Sequence, residues 1–184
     1  GNHEFDRGFA DLAGRVSDAA DYPQLGANVY LKGTTTPALP EYELVDAGSL
    51  TVGVIGAVTE ETPTLVTPSG ITGIDFGDPV EAVNRVAKQL KDGDATNGEA
   101  DIVVAEYHEG AELSKAELSA AKAGSQIFTK IVDQTSADVD VIFNGDKHAE
   151  YAYDAPIPGG TGTRPVIQAK QYGERLAAVE LGYD

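Results

Sequence analysis

Four short apolar runs, at residues 50–58, 101–107, 139–143 and 165–169, alternate with stretches of helical spacing, and this alternation limits the chain to layered α/β folds. Each run is rich in β-branched residues, as half-buried and buried strands are. Asp78 and Pro79 supply an N-cap followed by a proline suited to the first helical turn. Val80, Val83, Val86, Ala87 and Leu90 follow at helical spacing, which predicts a helix over 79–91. Residues 111–135 predict one long helix or two short ones broken near Gly124. Residues 91–100 are rich in Gly, Asp and Asn and predict a solvated loop. The segment 155–165, with three prolines and three glycines, predicts an irregular loop, and 174–181 a last strand.

The 184 residues, 41% of them hydrophobic, suffice for one core, so a single domain is expected over 1–184. With 30 acidic against 13 basic residues the formal charge is −17, which opposes general binding to nucleic-acid backbones or anionic membranes. A phosphate-bearing ligand would need local cations, most simply metal ions. There is no cysteine, so disulfides and thiolate metal sites are excluded. No stretch reaches the roughly 20 apolar residues of a membrane helix.

Histidine occurs three times, as His3, His108 and His148, each beside glycine and acidic residues. His108 follows the predicted strand 101–107 and His148 follows 139–143. In open α/β sheets the loops beyond the carboxyl ends of the strands form the ligand crevice, so these two can converge. Imidazole nitrogens together with Asn and Asp oxygens suit zinc, manganese or similar divalent ions. Taken one at a time, a histidine in a turn is more often a solvated or capping residue. Asp92, Asp94 and Asn97 lack the later glutamate of a calcium loop and predict a solvated turn. The run Gly159-Gly160-Thr161-Gly162-Thr163 lacks the lysine of a phosphate loop and predicts a plain turn. Tyr151, Tyr153 and Tyr172 fall near the predicted crevice, as packing residues or as contacts to a substrate base.

Gly1-Asn2-His3-Glu4-Phe5-Asp6 resembles the signature of calcineurin-like metallophosphoesterases, in particular 5′-nucleotidases and 2′,3′-cyclic-nucleotide phosphodiesterases. Later landmarks follow in the order that the family shows: residues 26–29, Val52-Gly53-Val54-Ile55-Gly56, His108-Glu109-Gly110, 139–142 ahead of Gly145 to His148, and 165–173. The resemblance implies a layered β-sandwich flanked by helices, here lacking its first part and so truncated at the N-terminus. It also implies hydrolysis of nucleotides or related small phosphoesters with divalent metal ions such as Zn or Mn. Asn2 and His108 would be metal ligands, and His3 would donate to the transferring phosphoryl group with Asp6 orienting its ring. Residence outside the cell or at its surface is implied by the same resemblance, with no nucleic-acid partner and no membrane span.

Where the family usually reads Gly-His-Thr-His or Gly-His-x-Gln, this chain reads Gly145-Asp146-Lys147-His148. Asp146 and His148 would then be the metal ligands, and Lys147 brings a positive charge into the ligand loop. Glu106, Tyr107 and Lys170 stand where the family tends to be small or apolar. The Asp-x-His pair and bridging Gly-Asp aspartate that the family carries ahead of its signature are not in this sequence. This implies an incomplete centre and exposed core that favours a homo-oligomer. The alternative is a remodelled scaffold, catalytically impaired, with a binding or assembly role.

Overall fold

The computed structural model of the chain describes residues 1–183. Its strands are β1 (Val29–Leu31), β2 (Tyr42–Ala47), β3 (Leu50–Val58), β4 (Ile74–Phe76), β5 (Ile102–His108), β6 (Val141–Asn144), β7 (Glu150–Pro156) and β8 (Thr163–Ala169). Six of them form one mixed sheet in the order β2-β3-β5-β6-β8-β7, while β1 pairs with β4 in a small second sheet. Strands β3, β5, β6 and β8 run parallel, so their carboxyl ends meet at one edge of the sheet. The two outer strands, β2 and β7, are antiparallel to their neighbours.

The helix Pro79–Gln89 begins where the sequence predicts it. Asp78 accepts from the backbone N–H of Val80 and of Glu81, so two of the free donors of the first turn are satisfied. The expected break near Gly124 is also present. Ser125 takes an extended conformation and caps a second helix, so the helices are Leu118–Ala123 and Gln126–Gln134. These helices cover one face of the sheet, where Val83, Val86, Leu90, Phe128 and Ile131 pack on Ile55, Val103, Ala105, Ile142 and Val166. Phe128 lies edge-on to Tyr151, with ring centroids 5.3 Å apart. Tyr151 and Tyr153 are thus core residues of this face, not crevice residues.

On the opposite face Val54, Val104, Phe143 and Ile167 are only half-buried. A second apolar cluster covers part of that face, built from Phe5, Leu12, Val29, Leu39, Val58 and Ile74. Phe5, from the opening motif, meets Phe76 edge-on at 5.1 Å.

Three expectations are corrected. Residues 155–165 are not an irregular loop: β7 and β8 extend into them and form a hairpin, with positive φ at Gly159 and Gly162 in the turn. No strand forms over 174–181. Ala177 and Val179 are half-buried between exposed neighbours, the alternation of a strand, but the segment joins no ladder among the described residues and so stays an unpaired extended stretch. The first 49 residues, for which the sequence predicts no element, carry a turn of 3-10 helix at Asn2–Phe5, helical turns over 9–19, and β1 and β2.

Candidate active site

The parallel strand ends bring the site together. Val58 pairs with His108 across β3 and β5, which puts His108 on the half-open face, away from the helices. The 3-10 turn Asn2–Phe5 lies against that strand end, and His108 Nε2 is 2.9 Å from Asn2 Oδ1. Asp146, just past β6, has Oδ1 3.5 Å from the same nitrogen. Next to them a cavity of about 450 Å³ is lined by Glu4, Phe5, Leu25, Val58, Glu106 and His108 among others.

Burial pushes the His108 imidazole down to about 4, and the Asp146 carboxylate opposes it. The ring is therefore neutral at pH 7, the form that can offer a lone pair to a cation. Its proton is shared between Nδ1 and Nε2 according to tautomer: in the Nε2–H form it donates to Asn2, and in the other form Nε2 is left as an acceptor. An imidazole nitrogen, a carboxylate oxygen and an amide oxygen within 3.5 Å are the donor types that a borderline or hard divalent ion takes. Among the described residues, however, no group of three or more His, Asp or Glu side chains converges as a metal cluster would. The donors fit part of a coordination sphere and not a whole one.

His3 and Asp6 form a separate pair. His3 Nδ1 is 3.1 Å from Asp6 Oδ2, and both side chains are well exposed. His148 stands apart: it is exposed and makes no hydrogen bond or ion pair among the described residues, lying edge-on to the exposed Tyr172 at 5.5 Å. The structure thus brings Asn2, His108 and Asp146 into contact, pairs His3 with Asp6, and leaves His148 outside both groups.

Backbone strain collects at the same edge. The non-glycine residues with positive φ are Asp146, His148, Lys170 and Tyr172, all in the two neighbouring loops that follow β6 and β8. Such conformations cost on the order of 1–3 kcal/mol each and collect where a loop is shaped for function.

Sequence reasoning gives no role to Glu109, Asn144 or Gln168, which the structure places in or beneath the 108–111 loop. Glu109 is buried, its Oε2 accepts from the Thr59 hydroxyl at 2.7 Å, and its Oε1 accepts from Gly110 N–H at 3.0 Å. Burial pushes its carboxyl up, against those two hydrogen bonds and the nearby Lys147 ammonium. Asn144 donates to the Glu109 carbonyl at 2.8 Å, and Tyr151 accepts from Ala111 N–H at 3.3 Å. Asn144 pairs with Tyr107, and Gln168 with Tyr151, so a polar row crosses the sheet beneath the 108–111 loop. Strand register alone aligns that row, and register is not visible in a list of residues.

Gly110 is the tight point of this loop. A Cβ there would lie 2.7 Å from both Gln168 Oε1 and Tyr151 Oη, and both neighbours are buried. Gly110→Ala is expected to cost about 1–3 kcal/mol in a urea melt and to displace His108, since overpacking moves backbone when the neighbours cannot give. A cost below a few tenths of a kcal/mol would mean that the loop is not pinned from below.

No family model matches the sequence. The chain is 30% identical over 199 residues to Endonuclease YhcR of Bacillus subtilis, a match covering all of this chain and 15% of that protein. It is 31% identical over 171 residues to the 5′-nucleotidase of Vibrio vulnificus, covering 92% of this chain and 29% of the relative. The fold matches the crystal structure of the calcineurin-like phosphoesterase YfkN from Bacillus subtilis with a TM-score of 0.65 at 19% identity, over 92% of this chain and 52% of that one. The chain therefore spans less than a third of the length of these two relatives. Together with the opening motif, the strand-end histidine and the mixed sheet, these likenesses define the class as that of the calcineurin-like metallophosphoesterases. Within it, the chain belongs to the metallophosphoesterase domains of the 5′-nucleotidase type. No helix among the described residues is long and apolar enough to cross a membrane.

Proposed function

We propose that this chain carries part of the active centre of a metal-dependent hydrolase that releases phosphate from nucleotides or related small phosphoesters. The observation that supports it most is the meeting of neutral His108, Asp146 and the Asn2 amide beside a cavity at the carboxyl ends of the parallel strands. His108, Asp146 and Asn2 would hold a divalent ion such as Zn or Mn, whose charge, when bound, would offset that spread over a phosphoryl group in transit. With His3 Nδ1 paired to Asp6, Nε2 would be the donor to a phosphoryl oxygen. His148, from its exposed loop, belongs to this proposal as a further ligand only if that loop turns inward. Export from the cell belongs to the same proposal, by kinship with 5′-nucleotidases.

The name of the Bacillus relative raises polynucleotides as a second substrate class. The formal charge of −17 argues against it, because duplex binding rests on cationic contacts to phosphates. Phosphate release from AMP, measured with manganese or zinc, after EDTA and after metal is added back, separates these possibilities. The expected result is turnover lost with EDTA and restored by metal. Absence of turnover at every metal level would leave the remodelled, noncatalytic scaffold as the better account, and cleavage of an oligonucleotide without release from AMP would favour the nuclease.

A further inference from the structure

Lys147 lies in the loop after β6, next to Asp146, and its surroundings are more acidic than its sequence neighbours disclose. Its Nζ lies 3.0 Å from Asp146 Oδ2 and 3.4 Å from Glu109 Oε1, and 3.7 Å from a carboxylate oxygen of both Glu112 and Glu61. These carboxylates come from three separate segments: the loop after β3, the loop after β5 and the ligand loop itself. The Lys147 side chain is 15% exposed and that of Glu109 4%, so the inner part of the cluster is screened from water. Asp146 is shared, with Oδ2 on Lys147 and Oδ1 turned toward His108.

We propose that Lys147 is a tethered counter-cation: its ammonium fills the acidic seat formed by Asp146, Glu109, Glu112 and Glu61 and thereby sets how weakly a divalent ion is held at His108 and Asp146. The inference rests on the proposed function for the identity of those ligands. A fixed positive charge beside a ligand carboxylate repels an arriving cation and draws on the same lone pairs, and both effects are largest where water is excluded. Lys147 also holds the Asp146 carboxylate in place, so it acts on the ion through another residue and is a positioning residue, not a catalytic one.

The test is calorimetric titration of the whole 184-residue chain with manganese, in the parent and in Lys147→Gln, Lys147→Arg and Lys147→Gln combined with His108→Ala. Lys147→Gln is expected to bind manganese about tenfold more tightly or better. Lys147→Arg, which keeps the charge, is expected to stay close to the parent. Without metal the glutamine variant should melt below the parent, because its carboxylates lose their counter-charge, and manganese should raise its melting temperature by more than it raises the parent's. Lys147→Ala gives the same comparison if the glutamine variant does not fold. Unchanged or weaker binding in Lys147→Gln overturns the proposal; if the parent nevertheless binds manganese through His108, the proposed function stands. Tighter binding that survives His108→Ala keeps Lys147 as the counter-cation of the seat and removes His108 from it, which sinks the proposed function instead.

Discussion

His108→Ala is expected to lower metal-dependent phosphate release by about 100-fold or more while the chain remains folded. His108 joins the opening motif to the sheet, and its Nε2 lies 2.9 Å from Asn2 Oδ1 and 3.5 Å from Asp146 Oδ1. Loss of residues that only orient a metal ligand commonly costs 10–100-fold, so loss of the ligand itself should cost at least the upper end of that range. The fold should survive because the side chain is 34% exposed and lies outside both apolar clusters. The main structural cost is one hydrogen bond to the buried Asn2 amide, about 1 kcal/mol. Turnover and a urea melt measured on the same preparation check both halves. Full activity in a folded variant would remove His108 from the chemistry.

Much of the sheet is legible in the sequence because its strands are long apolar runs. The run at 50–58 becomes β3 with the same ends, and the runs at 101–107, 139–143 and 165–169 become β5, β6 and β8 with shifts of one or two residues. Helix Pro79–Gln89 is legible from its cap and its periodicity. What escapes is short or depends on partners. Strands β1 and β4 have three residues each, too few to show a period, and β2 is an exposed edge strand whose residues need not be apolar. The segment 174–181 errs in the opposite direction: its composition suits a strand, but a strand exists only where a neighbour accepts its hydrogen bonds.

The site divides in the same way. His108 and Asp146 can be placed from strand ends alone, because the topology sends all four parallel ends to one edge. The seat of Lys147 cannot, since Glu61, Glu109 and Glu112 reach it from loops that only the folded chain brings together. Nothing in the local sequence separates buried Glu109 from the exposed glutamates around it.

Arg164 is hidden for the same reason, and its removal is expected to have the largest effect on stability. It is the bulkiest fully buried side chain, on the helix-covered face of β8. Nη1 donates to the carbonyls of Ser136 at 2.6 Å and Val139 at 3.0 Å, and Nη2 donates to that of Thr135 at 2.7 Å. These carbonyls belong to the turn that leaves helix Gln126–Gln134 and leads into β6, where the helix has no further N–H groups to offer them. A cation there also complements the negative end of the helix dipole. Burial lowers the pKa of the guanidinium, with Tyr107 and Asp140 pulling the other way. Its three hydrogen bonds all go to backbone carbonyls.

Arg164→Ala would take the guanidinium donors from the Thr135 and Val139 carbonyls, leave that of Ser136 with only the Val139 N–H, and open a cavity between the helix and the sheet. A cost of about 3 kcal/mol or more is expected, which for a chain of this size lowers the melting temperature by about 6–12 °C. Arg164→Met should recover the cavity part only, because it fills the volume without donating. Arg164→Lys should recover less than full stability, since one ammonium cannot reproduce the fork that spans Thr135, Ser136 and Val139. Urea melts of the three variants give that order directly. If methionine proved as stable as arginine, the carbonyls would be finding other partners, and the turn into β6, along with the strand end that carries Asp146, would not depend on Arg164.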